Sequence, residues 1–490
     1  MKSVVEQIIV NASLFPQKIA LVEGKRKISY SELVKGILFA KYQLTSKYGL
    51  SKGNSVILAA NKQISFVYVY FAAHLSGITV VPIDLETNVS RFEIIKAKVC
   101  PKLVIGFDLN CQSLSLSLFD GQIEDELSFG FPDDESVADI IFTTGTTGIP
   151  KGVLLTHKNI ASATHNINTF IRNGCDDIEL LALPISHSFG LGRLRCSLTL
   201  GATLVLLGSF VNVKRFYCFM EEYKITGLAM VPASWAFLKK MSGMKLFDYA
   251  DQLKYVEIGS APMCVEDKLL LMQSLPTTRI CMHYGLTEAP RSTFLEFHAD
   301  SEYLDSVGKP SPNMEVVIKD ENGQNCECLA EGEICVKGDA VTKGYLGVQD
   351  IDANFYWNGY FRTGDWGMMD SSGYLYLKSR KKELINVGGK KVSPVEVEEV
   401  LKQLAGITDC ACVAIPDPNG ILGEVVRAYV VFDNNHPHLS EINSLIGNRL
   451  EVYKQPVEYI EVENIPKTGS GKVQRLLLNM HDYVESPKSI

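Results

Sequence analysis

The sequence predicts an α/β protein: a large N-terminal domain of α/β layers plus a twisted β subdomain, followed by a small α+β C-terminal domain. Three observations carry this. From Ser55 to about Pro262, short Val/Ile/Leu/Ala runs alternate with longer helical patterns, as buried and largely parallel strands joined by helices do. After Thr287 the strands shorten, separated by turn sequences such as Asp320-Glu-Asn-Gly323 and Asp370-Ser-Ser-Gly373 that favour antiparallel pairing. Past Ser379–Lys382, about 110 residues read as helix, two strands, helix and strand.

In the large domain, buried strands are expected at Ser55–Ala59, Ala138–Phe142, Val153–Leu155, Leu180–Pro184, Ala202–Leu207, Thr226–Pro232, Tyr255–Gly259 and Arg279–His283. Ile64–Ile83 carries no charge, yet it holds His74, Gly77 and Pro82. Its apolar residues split into a helical part, Phe66–Leu75, and a strand-like part, Ile78–Val81. That is a core helix feeding a buried strand, not a membrane span. In the C-terminal part, Ser393-Pro-Val-Glu396 spells a capping box with proline at the first helical position, opening a helix to about Leu404. Strands Cys410–Ile415 and Val425–Phe432, a helix Ser440–Leu450 and a strand Val457–Val462 follow.

Composition narrows the function. At 490 residues the chain can bury a sizeable core, and 46% apolar with 21% charged residues is ordinary for a globular protein. A net charge of −8 opposes a nucleic-acid surface. The polar, acidic N-terminus is unlike a secretory signal, so a cytoplasmic location is expected. The twelve cysteines form no Cys-x-x-Cys pair. Cys326/Cys328 and Cys410/Cys412 have the spacing that places both thiols on one face of a strand, and no histidine sits at zinc spacing beside them.

The most informative segment is Thr143-Thr-Gly-Thr-Thr-Gly-Ile-Pro-Lys-Gly152, between two strand-like runs. Gly145 and Gly148 let the backbone approach an anion, Thr143, Thr144, Thr146 and Thr147 offer hydroxyls, and Lys151 adds positive charge. It is not a Walker loop, because Lys precedes Gly and a strand-like run follows. The segment resembles the phosphate loop of the AMP-forming adenylating superfamily, which includes acyl- and aryl-CoA synthetases, peptide-synthetase adenylation domains and luciferases. Five further blocks match in the family's order: Tyr284-Gly-Leu-Thr-Glu288; Gly332–Gly338 leading to Gly344-Tyr345; Phe361-Arg-Thr-Gly-Asp365; Arg380–Gly389; and Pro466–Lys472. The resemblance runs from about residue 15 to about 478 and is closest to the acyl-CoA ligases. It implies an AMP- and acyl-binding domain at 1–379, a hinge at 380–382 and a mobile lid at 383–490.

Activating a carboxylate with ATP brings two anions together at the α-phosphorus, so the site must supply cations, a metal and directed dipoles where charge builds. By resemblance, Lys472 is the catalytic lysine bridging carboxylate and α-phosphate. Glu288 binds Mg2+, as a hard cation held by one carboxylate and phosphates would be. Thr287 meets the α-phosphate, and Tyr284, with Gly285 behind it, stacks on adenine. Asp365 takes the ribose hydroxyls, and Arg380 contacts ribose or phosphate. Lys382 stands at the hinge. Gly388-Gly389 either forms a turn or, as in acyl-CoA synthetases, lets the pantetheine thiol pass.

Leu183-Pro-Ile-Ser-His187 bears on the substrate. Amino-acid-activating relatives place an aspartate in this region for the substrate ammonium, and a buried ammonium without one is costly. This chain has His187 instead, either a pocket gate or a structural histidine. Phe189 matches an aromatic pocket wall, and Gly259, Ser260, Ala261 and Trp235 complete the acyl and adenine sites. Arg193 departs from the small residue common at its position. Either it reads a second polar or acidic group on the substrate, or it turns outward to a surface ion pair. The expected activity is an acid–thiol ligase using ATP, Mg2+ and coenzyme A on a non-amino-acid carboxylate. The alternative is an enzyme loading an acyl carrier protein.

Overall fold

The computed structural model describes residues 2–107, 113–123, 130–144, 150–349, 355–388, 390–419, 421–433, 442–447, 449–467, 471 and 473–478, with the backbone alone at Thr144, Lys382 and Lys391. These fall into two compact units: Met1–Val316 with Val336–Phe361, and Val317–Cys335 with Arg362–Ile490. This division differs from a boundary after residue 379. The strand Leu375–Arg380 pairs back on Tyr360–Met369, and the Ser393 hydroxyl donates to the Lys378 carbonyl at 2.6 Å. The twisted β segment is thereby fastened to the chain that follows it.

Two large sheets lie within the described residues of the first unit. One has nine strands, in the order Lys309–Pro310, Thr293–Glu296, Arg279–Tyr284, Tyr255–Gly259, Gly227–Met230, Ile178–Leu181, Thr203–Leu206, Ile19–Glu23 and Arg26–Ser29. Its central strands are parallel. The other has six: Gly344–Tyr345, Pro150–Thr156, Val137–Thr144, Thr79–Ile83, Ser55–Ala59 and Leu103–Ile105. The expected strands of this domain are all present, with ends displaced by a few residues.

The period of two explains how a sheet can feed two cores. Val56 and Leu58 enter the main apolar cluster, while Ile57 and Ala59 enter a second one with Phe92 and Phe142. The charge-free run is the helix Ile64–Leu75 followed by the strand Thr79–Ile83. Every residue of that helix is buried, as its lack of a polar face requires. Among the described residues, no helix is long and apolar enough to cross a membrane.

The helix Ser188–Thr199 carries arginines at 193 and 195, a spacing that directs them to different sides. Arg193 reaches Glu179 of the nine-stranded sheet, and Arg195 reaches Asp139 of the six-stranded sheet. One buried helix thus ties both sheets by charge.

In the second unit, Ile407–Pro416 pairs antiparallel with Glu424–Phe432, and Glu458–Glu461 adds in parallel. Cys410 and Cys412 face one core, as their spacing predicts. Cys326 and Cys328 lie outside any strand, and Cys328 is exposed, so the shared-face expectation fails there. Ser393 caps the helix Pro394–Leu401, which ends before Leu404. Only half of the expected capping box forms: the Glu396 carboxylate accepts from Lys454 at 2.8 Å instead. Of the expected helix Ser440–Leu450, Ser440, Glu441 and Asn448 lie outside the described residues, and the described ones form a helix over Ile442–Ile446.

Candidate active site

Four neighbouring parallel strands deliver most of the first unit's candidate residues at their carboxyl ends, where ligands bind in open α/β sheets. Ile178–Leu181 leads to His187 and Phe189. Gly227–Met230 leads to the helix of Trp235. Tyr255–Gly259 ends at Ser260 and Ala261, and Arg279–Tyr284 opens the loop to Glu288. Ser260 has φ +74°, a left-handed conformation that costs energy for a residue with a Cβ. Gly259 has a packing reason: a Cβ there would lie 2.1 Å from Cε1 of His283 on the adjacent strand, so the ring would have to shift. The His283 ring in turn meets Phe189 edge-on, with centroids 4.6 Å apart. Trp235 is buried against Phe247, 5.7 Å between centroids.

The segment Ala182–Phe189 is held from two sides. The Lys62 ammonium donates to the carbonyls of Ala182 (2.7 Å) and Leu183 (3.2 Å), and burial lowers its pKa to about 8 against the opposing pull of Asp84. Asp84 accepts from the Ser186 hydroxyl at 2.9 Å. From the other side, the Arg291 guanidinium donates to the carbonyls of Ser188 and Phe189, each at 3.2 Å. Gly192 makes room for it, since a Cβ there would sit 2.8 Å from its Nη1. His187 stands exposed immediately before the helix.

Arg193 does not line an acyl pocket, nor does it face outward. It is fully buried, donating to Glu179 through Nε at 2.7 Å and through Nη2, and to Glu257 at 3.2 Å. Burial opposes its charge, but Glu179 and then Glu257 more than offset this and hold it protonated. Glu257 also accepts from Arg291 at 3.0 Å and lies 2.8 Å from His283 Nδ1. Burial pushes Glu257 toward its neutral form, yet Arg291, His283 and Arg193 together bring its pKa below the usual range. With both carboxylates engaged, the Arg193 guanidinium is not offered to a substrate group.

The strand Val137–Thr144 pairs with Pro150–Thr156, and Thr143 lies opposite Lys151. Gly145, Thr146, Thr147 and Gly148 of the glycine-threonine loop lie outside the described residues, as does the Thr144 side chain. Gly344–Tyr345 pairs on the far edge of Pro150–Thr156, with Tyr345 opposite Val153. The Lys151 ammonium lies 5.4 Å from the Tyr345 ring centroid, and the Tyr345 hydroxyl donates to Glu288 Oε1 at 2.6 Å. Lys151 and Glu288, drawn from different sheets, therefore converge on one tyrosine. Tyr284 is largely buried; Gly285, Thr287 and Glu288 are half-buried. A Cβ at Gly285 would come within 2.5 Å of the Arg291 backbone nitrogen, so that loop turns tightly.

In the second unit, Asp365 and Arg380 face each other across two strands, and Arg380 Nε meets Asp365 Oδ1 at 2.9 Å. The hairpin Ile385–Val387/Lys390–Val392 turns at Gly388, which has φ +58° and donates its N–H to the Leu422 carbonyl at 2.8 Å. Lys472 and Gly389 lie outside the described residues; Lys382 is placed by its backbone in the turn Lys381–Glu383.

Two family models match this chain: "AMP-binding enzyme" over residues 10–346 and "AMP-binding enzyme C-terminal domain" over residues 396–472. The chain belongs to the AMP-binding enzyme family. Among its relatives, the long-chain-fatty-acid–CoA ligase FadD13 of Mycobacterium tuberculosis is 29% identical over 90% of each chain. The oxalate–CoA ligase of Arabidopsis thaliana is 29% identical over 97% of this chain and 98% of its own length. The o-succinylbenzoate CoA synthetase of Bacillus subtilis, solved with its acyl-adenylate intermediate, is 25% identical with a TM-score of 0.86, covering 97% of this chain and 98% of that one.

The Bacillus subtilis synthetase has also been solved with ATP and a magnesium ion, and the donor set here suits magnesium. Among the described residues, no group of three or more His, Cys, Asp or Glu side chains is placed to hold a metal. Glu288, a single hard carboxylate held by Tyr345, fits a cation that would complete its shell with phosphate oxygens and water. Sequence reasoning missed Lys62, Asp84, Glu257, Arg291 and the role of Tyr345. Tyr345 stood inside a recognised block. The others are isolated charges far apart in the chain, with no spacing to mark them.

Proposed function

We propose that the protein is an ATP-dependent carboxylate–CoA ligase acting on a non-amino-acid carboxylate. The substrate carboxylate attacks the α-phosphorus of ATP, pyrophosphate leaves, and an acyl-adenylate remains. The thiol of CoA then attacks the acyl carbon, and AMP leaves with the electron pair of the broken C–O bond. The observation that supports this best is that both family models match in order, together with CoA-ligase relatives spanning almost the whole chain. Nucleotide binding alone would not call for the C-terminal domain.

In this reading Lys151 and the loop before it hold the β- and γ-phosphates, and Thr287 donates to the α-phosphate. Tyr284 stacks on adenine against Ser260 and Ala261. A magnesium ion on Glu288 would neutralise charge on the leaving pyrophosphate. His187 and Phe189 border the acyl site, Phe189 held by His283 and Arg291. Asp365 receives the ribose, and Arg380, already paired with it, steadies that carboxylate. Lys472 stabilises the charge at the α-phosphorus. A hinge at Lys382 and a mobile lid beyond it present Gly388-Gly389 to the thiol in the second half-reaction.

ATP–pyrophosphate exchange over fatty, aromatic, dicarboxylic and amino acids, followed by CoA with the best acid, tests this. Exchange with a simple carboxylate and CoA-dependent AMP release is the expected result. Exchange that proceeds to thioester only with a phosphopantetheinylated carrier protein would replace CoA as acceptor, and exchange with amino acids alone would overturn the substrate class. Lys472→Ala is expected to abolish adenylate formation and spare thioester formation from supplied acyl-adenylate.

A further inference from the structure

Glu288 and the phosphate loop belong to different sheets, so something must set the distance between them. Glu288 follows the strand Arg279–Tyr284 of the nine-stranded sheet, whereas Lys151 lies on Pro150–Thr156 of the six-stranded sheet. The short segment Thr342–Tyr345 joins the two. Its backbone pairs with the phosphate-loop strand, Gly344 opposite Leu154 and Tyr345 opposite Val153, and the Thr342 hydroxyl donates to the Leu154 carbonyl at 2.5 Å. In the other direction, the Thr342 N–H donates to the Glu288 carbonyl at 2.7 Å, and the Tyr345 hydroxyl donates to Glu288 Oε1 at 2.6 Å. The Tyr345 ring is 7% exposed and packs on Phe355 with centroids 4.9 Å apart, so the hydroxyl has little freedom to leave.

We propose that Tyr345 is the positioning residue for the metal-binding carboxylate, holding Oε1 of Glu288 and leaving Oε2 for the cation. This rests on Glu288 being the metal ligand. A carboxylate has about four lone-pair sites, so one hydroxyl donor leaves capacity for a cation. A hydrogen bond to an ionised acceptor is short and strong, and partners of this kind orient ligands and raise metal affinity. Without it the Glu288 carboxylate would lose this orienting bond, and part of the binding energy of a cation would go into ordering it. Because Tyr345 pairs with the strand that carries Lys151, it would also fix the metal-binding carboxylate relative to the phosphate-binding cation.

The test compares Tyr345→Phe with Glu288→Gln and the unaltered protein. Calorimetry measures ATP binding in EDTA and across a Mg2+ titration, with thermal unfolding alongside. Tyr345→Phe is expected to raise the Mg2+ concentration for half-maximal ATP binding by about tenfold. ATP affinity in EDTA and the unfolding temperature should stay unchanged. Pyrophosphate exchange should show the same shift in Mg2+ requirement. A shift in Glu288→Gln with none in Tyr345→Phe would overturn the positioning role and leave Glu288 as the ligand. No shift in Glu288→Gln would overturn the metal assignment itself. Equal weakening of ATP binding with and without Mg2+ in Tyr345→Phe, accompanied by a lower unfolding temperature, would reduce Tyr345 to packing.

Discussion

Replacing Arg193 with methionine separates a substrate reader from a structural cross-link. The guanidinium is fully buried, so its loss is not softened by solvent. Glu257 would keep Arg291, but Glu179 would be left, among the described residues, with the hydroxyls of Tyr255 (2.7 Å) and Ser197 (2.8 Å). Breaking a buried pair from one side costs about 3–5 kcal/mol, most of it the penalty of the orphaned charge. The first unit has about 340 residues, and an unfolding entropy near 2.1 cal/mol/K per residue converts that cost into a drop of about 4–7 °C in unfolding temperature. Scanning calorimetry reads it. Adding Glu179→Gln should recover much of the loss, because the remaining partner would then be neutral; the double-mutant cycle isolates the coupling. Preference between a dicarboxylate and its methyl-ended analogue should not move. An unchanged unfolding temperature together with an altered preference would refute the structural role and restore Arg193 to the pocket.

Three further outcomes are expected. Gly259→Ala should displace the His283 ring, which a Cβ would approach to 2.1 Å, lowering stability by about 1–3 kcal/mol and raising KM for the carboxylate through Phe189; urea titration and initial-rate kinetics check both. Lys62 has a depressed folded-state pKa of about 8, so between that value and its unfolded value near 10.5 the unfolded chain binds more protons. Stability should therefore rise with pH across that window, a rise absent in Lys62→Met when unfolding is followed from pH 7 to 10. Arg475→Gln should destabilise the second unit by about 2–4 kcal/mol, because Arg475 pairs with Glu383 at 2.7 Å and with buried Glu398 at 2.6 Å; Glu398→Gln in that background should restore part of it in the same denaturant assay.

What the sequence made legible follows from how each signal is written. Strands buried on both faces read as short apolar runs, so Ser55–Ala59 and Tyr255–Gly259 are found with their boundaries intact. The uncharged helix before Thr79 is recognisable because no polar face remains to be written. The chemical blocks are legible for another reason: phosphate, metal and ribose each demand particular groups at short spacing. Long-range partners leave no such trace. Glu396 had the right spacing for a capping box, but Lys454, 58 residues away, competes for its carboxylate. The Cys326/Cys328 spacing held no information once that segment proved not to be a strand.

Arg193 shows why a departure from a family pattern is ambiguous in sequence. An arginine among pocket residues satisfies two incompatible descriptions: a cation waiting for a substrate anion, or a cation already matched by buried carboxylates. Only the positions of Glu179 and Glu257 decide, and they lie 14 residues before it and 64 after it. The same geometry gives the misassigned residue an indirect role. Because Glu257 is shared by Arg193 and Arg291, the charge that locks the helix Ser188–Thr199 to the sheet also locks the loop that begins at Tyr284. In the proposed function the first turn of that helix borders the acyl site, and that loop carries Glu288, the proposed metal ligand. Glu257→Gln should consequently disturb acid and nucleotide binding together, with both KM values rising. A rise confined to the carboxylate would show that the two walls are positioned independently.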